Sequence, residues 1–372
     1  MKKIFYIAAA AVVATTACSK IEIAEVASNE ISFKTMAVST KALILPDENS
    51  DQISALPTTE QFGVFAYVDR NYTTPLMGDV TVACDQTGTW KGTGVDAQGA
   101  PITYIWPSTG NVDFYAYYPA SVNGSFNTAN EQVSMTGVDL GATIGNQIDP
   151  MVAVTKDLLA SQKPTVNLVF KHTASQILVS AYDATTTPAL QGKIILKSVK
   201  VNNVYTKGDY VDGTTSGKGV WTSLANKADF TVFYGAENLP VGIANESYLS
   251  QGSFTNAIDN NSAFVIIPED VIAPAVPADP AQVYQTITVT YDVNEFTNGG
   301  FKFAKEENKT VTFPINGFVS NDRFKPGVRY IFHLAFTLDK ANNEIVFAPQ
   351  VQGWEQEDVN GILVDVKNDV LL

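Results

Sequence analysis

The sequence predicts an all-β chain built from two antiparallel β-sandwich domains. Its apolar segments are short, rich in Val, Ile, Thr, Tyr and Phe, and bounded by Gly, Pro, Asn and Asp, which is typical of strands and turns. A length of 372 residues suits two domains, each with enough core to fold without disulfides. Helices should be few and short.

The N-terminal residues predict export and lipid anchoring. Two lysines precede an apolar stretch of residues 4–14, which is too short to span a bilayer, and small residues lead up to Cys18. This pattern indicates a lipoprotein signal peptide over residues 1–17, with Cys18 carrying the lipid that holds the chain on a membrane. The alternative is an ordinary secretory signal followed by a chance cysteine, and it exports the chain as well.

A first strand follows a polar spacer, with Ile31 and Phe33 on its buried face. The loop behind this strand contains a basic residue and is a candidate protease site. A cut between Lys41 and Ala42 would remove residues 18–41, the anchor and the first strand together. The alternative is that Lys41 is simply a solvated charge.

The N-terminal domain is expected to span residues 18–163. Its segments Phe62–Val68 and Val112–Pro119 are apolar or aromatic at both odd and even positions, as in strands that are covered on both sides. Between them, Asp79–Cys84 alternates as a strand with one buried face. Cys84 continues that alternation, so it is interpreted as a small buried hydrophobe and not as a reactive thiol.

The C-terminal domain is expected to span residues 164–372. A long strand over Val166–Tyr182 changes its buried side near residues 173–175, which predicts a bulge or bend. Residues 207–213 have the composition of a turn. The clearest hairpin signal pairs Tyr330–Leu338 with a return strand that ends at Trp354.

After that hairpin the chain continues with a further alternating segment, residues 361–372. At about 3.3 Å per residue it could reach ~35 Å, the length of a domain edge. It is either the last strand of its own domain or a strand for another chain. Its apolar side consists of Ile362, Val364, Val366, Val370 and Leu372.

Charge and chemistry exclude several classes of function. The formal charge of −14 opposes binding to nucleic acids and to anionic membrane surfaces. The two histidines, His172 and His333, are not spaced for a metal site, and His333 is interpreted as a surface residue. Since no catalytic or phosphate-binding motif is present, we expect neither enzymatic activity nor a cofactor or metal.

In their order and spacing, these features resemble the fimbrillin (Mfa-like) family of Bacteroidales surface lipoproteins. The resemblance covers most of the chain, although each piece alone is a common strand pattern. The matching segments are Ala17–Ser19, Glu30–Phe33, Thr40–Ala42, Phe62–Tyr67, Trp106–Pro107, Val112–Pro119, Asp149–Ala153, Phe170–Ser175, Ile194–Val204, Tyr330–Leu334 and Val351–Trp354.

The resemblance implies two transthyretin-like sandwiches and a fimbrial building block that works in adhesion. Such a precursor travels to the outer membrane as a lipoprotein, loses its first strand to a protease that cuts after Arg or Lys, and accepts a strand from a neighbouring subunit in an extracellular fimbrium. In this chain the cut would follow Lys41 and the donor would be Ile362–Leu372. The implied partners are other fimbrial subunits and a ligand on a host or bacterial surface.

A second hypothesis is an outer-membrane lipoprotein that binds glycans. Aromatic side chains can stack on sugar rings, and Trp90, Tyr115, Tyr117 and Trp221 are the candidates. The alternative, that these side chains pack between sheets, is preferred.

Overall fold

In a computed structural model of this chain, the described residues are 29–38, 53–54, 56–213, 219–256, 261–274, 282–298, 300–319, 322–339 and 345–353. They form twenty-two strands and two short 3-10 helices, and no α-helix occurs among them. The predicted all-β fold is therefore confirmed. Across these ranges, no helix is long and apolar enough to cross a membrane.

The first ten strands belong to the N-terminal part of the chain. In order they are β1 (Phe33–Val38), β2 (Ile53–Ser54), β3 (Gln61–Val68), β4 (Met77–Cys84), β5 (Trp90–Gly92), β6 (Asn111–Tyr118), β7 (Asn123–Asn127), β8 (Gln132–Asp139), β9 (Met151–Leu159) and β10 (Val166–His172). One 3-10 helix, Ala160–Gln162, separates β9 from β10.

The remaining strands follow directly. They are β11 (Ser175–Asp183), β12 (Ile194–Val211), β13 (Val220–Asn238), β14 (Ser247–Ser250), β15 (Ser253–Thr255), β16 (Ala263–Ile266), β17 (Thr286–Val293), β18 (Phe296–Asn298), β19 (Phe301–Phe303), β20 (Glu306–Pro314), β21 (Val328–Phe336) and β22 (Ile345–Gly353). The second 3-10 helix is Ile243–Asn245.

The N-terminal sheet has the order β10-β9-β6-β3-β4-β5-β1-β2, and β1 also pairs with β10. This extra pairing closes the sheet around an apolar core that includes Phe62 and Phe114. The opposite faces of β3 and β6 are buried as well, through Phe65 and Tyr115. The prediction that both strands are covered on two sides is confirmed.

The C-terminal core lies between two sheets. One has the order β15-β14-β11-β21-β22, with β16 on β11, and the other has the order β20-β17-β12-β8-β7, with β13 on β12. The predicted hairpin is formed by β21 and β22. Two strand pairs, β11 with β21 and β1 with β10, are parallel, whereas the sequence predicted antiparallel sandwiches.

The two halves are joined by strand pairing and by a shared apolar cluster. β8 precedes β9 and β10 in the chain, yet it pairs with β12 of the C-terminal sheet. A third cluster of buried side chains then fills the space between the halves, with Tyr115 and Tyr117 from the N-terminal sheet and Tyr210 and Trp221 from the β12–β13 hairpin. The domain boundary near residue 164 stays a prediction.

The change of buried side near residues 173–175 marks a change of sheet. The single strand predicted over Val166–Tyr182 is in fact β10 and β11, which lie in different sheets. At the crossover Thr173 donates twice to the Pro150 carbonyl, from its backbone N–H at 3.0 Å and from its hydroxyl at 2.8 Å. Of the two predicted alternatives the bend is confirmed and the bulge is not: Ala174 lies in a bend between β10 and β11. A strand that moves between sheets also reverses which side faces a core.

The predicted turn at residues 207–213 is also wrong, since β12 runs through Val211. This part of β12 is paired on both edges, with β13 on one and β8 on the other. The Asp209 carboxylate accepts the Gly137 N–H at 2.7 Å across the β8 edge. Pairing on both sides thus overrides the turn-forming tendency of Gly208 and Asp209.

Cys84 is half-buried, not fully buried, and packs against the N-terminal core. Burial, which is the larger cause, and the nearby Asp85 carboxylate raise the pKa of its thiol. A raised pKa disfavours the thiolate, so the interpretation of Cys84 as a small apolar side chain fits its surroundings.

Candidate functional site

The first strand, β1, is the candidate functional site because it closes the N-terminal sheet. It runs parallel to β10, with Phe33 opposite Val166 and Ala37 opposite Phe170, and it meets β5 where Phe33 lies opposite Trp90. The Val166 N–H donates to the Ser32 carbonyl at 2.9 Å. Without β1, the backbone edges of β5 and β10 that face it would be unpaired.

The side chains of this segment fill a groove in the core. Ile31, Phe33 and Thr35 are each at most 3% exposed, whereas Lys34 between them is exposed. The Phe33 ring packs edge to face against Phe62 and Phe114, with ring centroids 5.9 and 5.7 Å apart. The predicted alternation of this strand is confirmed, and the groove accepts one apolar or small side chain at every second position.

Hydrogen bonds hold the two ends of the segment. Before β1, the Ile31 N–H donates to the Tyr104 carbonyl at 2.8 Å, and Lys163 bonds the side chain of Asn29. Inside β1, the Thr35 hydroxyl oxygen accepts the Leu56 N–H at 3.2 Å. The segment is thus a strand with hydrogen-bonding partners along its length, even though the groove it occupies is built by other parts of the chain.

A surface ion pair adds to these contacts. Lys91 Nζ lies 2.8 Å from a Glu30 carboxylate oxygen, and this hydrogen bond raises the pKa of Lys91. Both side chains are partly exposed, so solvent screens the pair and it adds little stability. The apolar side chains, and above all Phe33, therefore provide most of the energy that holds β1 in its groove.

Replacing Phe33 with Ala should destabilise the N-terminal sheet by about 3–5 kcal/mol, the usual cost of truncating a buried Phe. The reason is the loss of two aromatic contacts together with a cavity in the N-terminal core. Urea unfolding followed by tryptophan fluorescence measures this loss. Lys34→Ala, one residue along on the exposed side, is the matched control and should change stability by less than about 0.5 kcal/mol. Equal effects of both variants would contradict the groove geometry.

The residues that the sequence singled out for processing and assembly lie outside the described part of the chain. They are Cys18, Lys41, Ala42, Ile362, Val364, Val366, Val370 and Leu372. The roles of these residues stay predictions. What the structure adds is the groove that β1 occupies.

The four aromatic residues considered for sugar stacking are all buried: Trp90, Tyr115, Tyr117 and Trp221. The Trp221 indole N–H donates to the Thr173 carbonyl at 2.6 Å, and the Tyr117 hydroxyl donates to Asp79 at 2.5 Å. Rings enclosed in this way cannot stack on a sugar. The packing interpretation is confirmed.

Both histidines have carboxylate neighbours that the sequence did not reveal. His172 Nδ1 lies 2.8 Å from Asp149. His333 Nδ1 lies 2.5 Å from Glu246 and 2.9 Å from the Ser180 hydroxyl, and its side chain is 16% exposed. The interpretation of His333 as a surface residue is therefore wrong.

The partners of His333 come from β11 and from the chain before β14, so no local pattern announces them. Burial disfavours ionisation of Glu246, yet its hydrogen bonds with His333 and Ser180 lower the pKa of its carboxyl overall. Ser180 and Glu246 both meet the same ring nitrogen of His333, so the three do not form the relay of a catalytic triad. Within the described ranges, no cluster of three or more His, Cys, Asp or Glu could hold a metal ion.

The chain is similar to known proteins both in its sequence family and in its structure. A family model described as Fimbrillin-like matches residues 51–354, more than half of the chain. A fimbrial protein from Bacteroides vulgatus is similar, with a TM-score of 0.52, 14% sequence identity, and coverage of 87% of this chain and 99% of the other. The tip fimbrial protein Mfa3 from Porphyromonas gingivalis, with C-terminal truncation, is similar with a TM-score of 0.41 and 11% sequence identity. The match covers 87% of this chain and 100% of the other. No curated protein matches the chain by sequence.

Proposed function

Because the chain belongs to the fimbrillin-like family, we propose that it is a structural pilin of a surface fimbria, assembled by exchange of its first strand. The family consists of fimbrial subunits and not of enzymes, so its members act at the cell surface in association with other fimbrial subunits. For this chain we add three steps: its route to the surface, the removal of one segment and its replacement by another.

In this mechanism the chain is exported as a lipoprotein with its lipid on Cys18 and is held at the outer membrane. Cleavage between Lys41 and Ala42 separates the anchor from the rest of the chain. After the cut β1 has no covalent link to the rest of the sandwich, so a competing strand can displace it from the groove. Lys41 stands where a protease that cuts after Arg or Lys would act.

The observation that carries the proposal is the position of β1 between β5 and β10. Removal of this strand leaves an apolar groove beside unpaired backbone groups, and a strand with the right alternation refills both at once. Repeated from one subunit to the next, such a contact is heterologous and does not close, so it builds a fibre.

The segment Ile362–Leu372 matches what the groove requires. The groove takes buried side chains at every second position, as it does from Ile31, Phe33 and Thr35. The segment offers Ile362, Val364 and Val366 with the same spacing. At about 3.3 Å per residue, the segment is also long enough to cover β1 from end to end.

Mass measurement of the chain recovered from the cell surface tests this route. We expect a fibre-bound form that begins at Ala42 and carries no lipid, while Cys18→Ala should leave the precursor unlipidated and absent from the surface. The matched control is Ser19→Ala, which leaves the lipidated residue in place and should be delivered normally. A surface chain that keeps acylated Cys18 and stays monomeric would contradict the proposal.

A further inference from the structure

The three arginines of the chain differ sharply in their surroundings. Arg70 is half exposed and pairs with Asp113 at 3.1 Å and Asp157 at 3.0 Å. Arg323 is also half exposed, and it pairs with Asp270 at 2.9 Å. Arg329 is 4% exposed, and no carboxylate among the described residues pairs with it.

Arg329 lies on β21 directly opposite Gln176 on β11, and its Nε donates to the Gln176 side-chain oxygen. Two further donors at this place, Arg329 Nη2 and Gln176 Nε2, are buried and have no hydrogen-bond partner in the part of the chain that the structure describes. Buried donors without partners are uncommon because each loses its hydration without compensation. Both donors need an acceptor, and a carboxylate has two oxygens to offer.

The charge of Arg329 strengthens this requirement. Burial lowers the pKa of its guanidinium to about 10, so the group remains a cation at neutral pH. The described group that acts on it electrostatically is the phenol of Tyr248. A buried cation without an anion is among the most costly arrangements in a protein, and removal of its partner is strongly destabilising.

We propose that Arg329 and Gln176 form a carboxylate-binding site, and that its occupant is the acidic run Glu355–Asp358 of the same chain. The strand register places the end of β22, two residues before this run, close to the site. β22 is antiparallel to β21, with Gln352 opposite Arg329 and Gly353 opposite Val328. The chain therefore leaves β22 beside Arg329.

The acidic run is within reach and has the right charge. Glu355 is two residues beyond Gly353 and Asp358 is five, at most about 7 and 17 Å of extended chain. The run has three carboxylates, Glu355, Glu357 and Asp358, and no cation. The site would hold the chain just before residues 361–372, but it does not depend on strand exchange and stands if the proposed function fails.

A double-mutant cycle on the purified chain tests the site. Neutralising the run with E355Q, E357Q and D358N should lower the folding equilibrium constant at least tenfold when Arg329 is present, and less than twofold in the Arg329→Met background. The control, D47N with E48Q and D51N, removes three carboxylates from another acidic segment. It should change the folding equilibrium constant by the same factor with Arg329 present and in the Arg329→Met background. If neutralising the run changed the folding equilibrium constant by the same factor in both backgrounds, the assignment would be overturned.

Sodium acetate identifies the occupant, with sodium chloride at the same ionic strength as the reference. Acetate should raise the melting temperature of the E355Q/E357Q/D358N variant, whose site has lost its occupant, and should leave that of the natural chain unchanged. Equal stabilisation of both chains would show that the run does not fill the site, and no stabilisation of either would show that no carboxylate site exists. Either result overturns the proposal, even if the Arg329→Met chain fails to fold.

Discussion

A chain truncated after Asn360 should fold with a nearly unchanged melting temperature, be processed normally, and fail to polymerise. The five apolar side chains of residues 361–372 are worth roughly 1.5–3 kcal/mol each when buried, or ~10 kcal/mol together, before the costs of association. Their loss should remove the contact between subunits. The stability of the monomer should survive, because β22 already pairs with β21 along its whole length up to Gly353.

Calorimetry of the monomer and electron microscopy of the assembled product separate the two effects. Val366→Asp, which places a charge on the apolar side of the segment, should block assembly as fully as the truncation does. Lys367→Asp, on the opposite side, is the matched control and should assemble. The truncation retains Glu355–Asp358, so it leaves the Arg329 site intact. A truncated monomer that loses several kcal/mol would show that residues 361–372 are a strand of their own domain.

Lys41→Ala should have a comparably large effect, since assembly requires the groove and the groove requires the cut. Mild trypsin treatment of the folded natural chain should cleave first after Lys41 and leave a core that begins at Ala42. The Lys41→Ala chain should resist this cut and yield no fibres. Lys34→Ala, which removes an exposed lysine inside β1, is the control and should be processed and assembled. Fibres formed from uncleaved Lys41→Ala chains would contradict a removable first strand.

The sequence predicted those parts of the fold that depend on local patterns. Aromatic residues at both odd and even positions of β3 and β6 indicated two covered faces, and the structure buries Phe62 on one side and Phe65 on the other. The alternation of Ile31 and Phe33 likewise indicated the one-sided burial of the first strand. Period-two alternation reports burial directly, because successive side chains of a strand point to opposite faces.

Long-range pairing was not predictable in the same way. The sequence at residues 173–175 shows that the buried side changes, but it does not distinguish a bulge from a move between sheets. Gly208 and Asp209 favour a turn by composition, yet β8 and β13 hold them in a strand. The pairing of β8 with β12 joins residues that are far apart in the chain, such as Asp139 and Lys207.

The candidate site was predicted in part. The sequence located the first strand, but it did not show that this strand closes the sheet between β5 and β10, because that depends on the partners of its two edges. The pairing of His333 with Glu246 and the isolation of Arg329 were also missed. Each depends on neighbours from separate strands, and the alternation of β21 placed both residues simply on the side away from the C-terminal core.

A fluorescent peptide of residues 361–372, added to the purified chain before and after cleavage at Lys41, gives the most direct measurement of strand exchange. Its fluorescence anisotropy should rise with the cleaved chain, as the peptide replaces β1 in the groove, and should stay at the free-peptide value with the uncleaved chain. The same peptide with Val366→Asp should bind neither form. Equal binding to the cleaved and uncleaved chains, or binding to neither, would contradict the proposal that β1 occupies the groove of a donated strand.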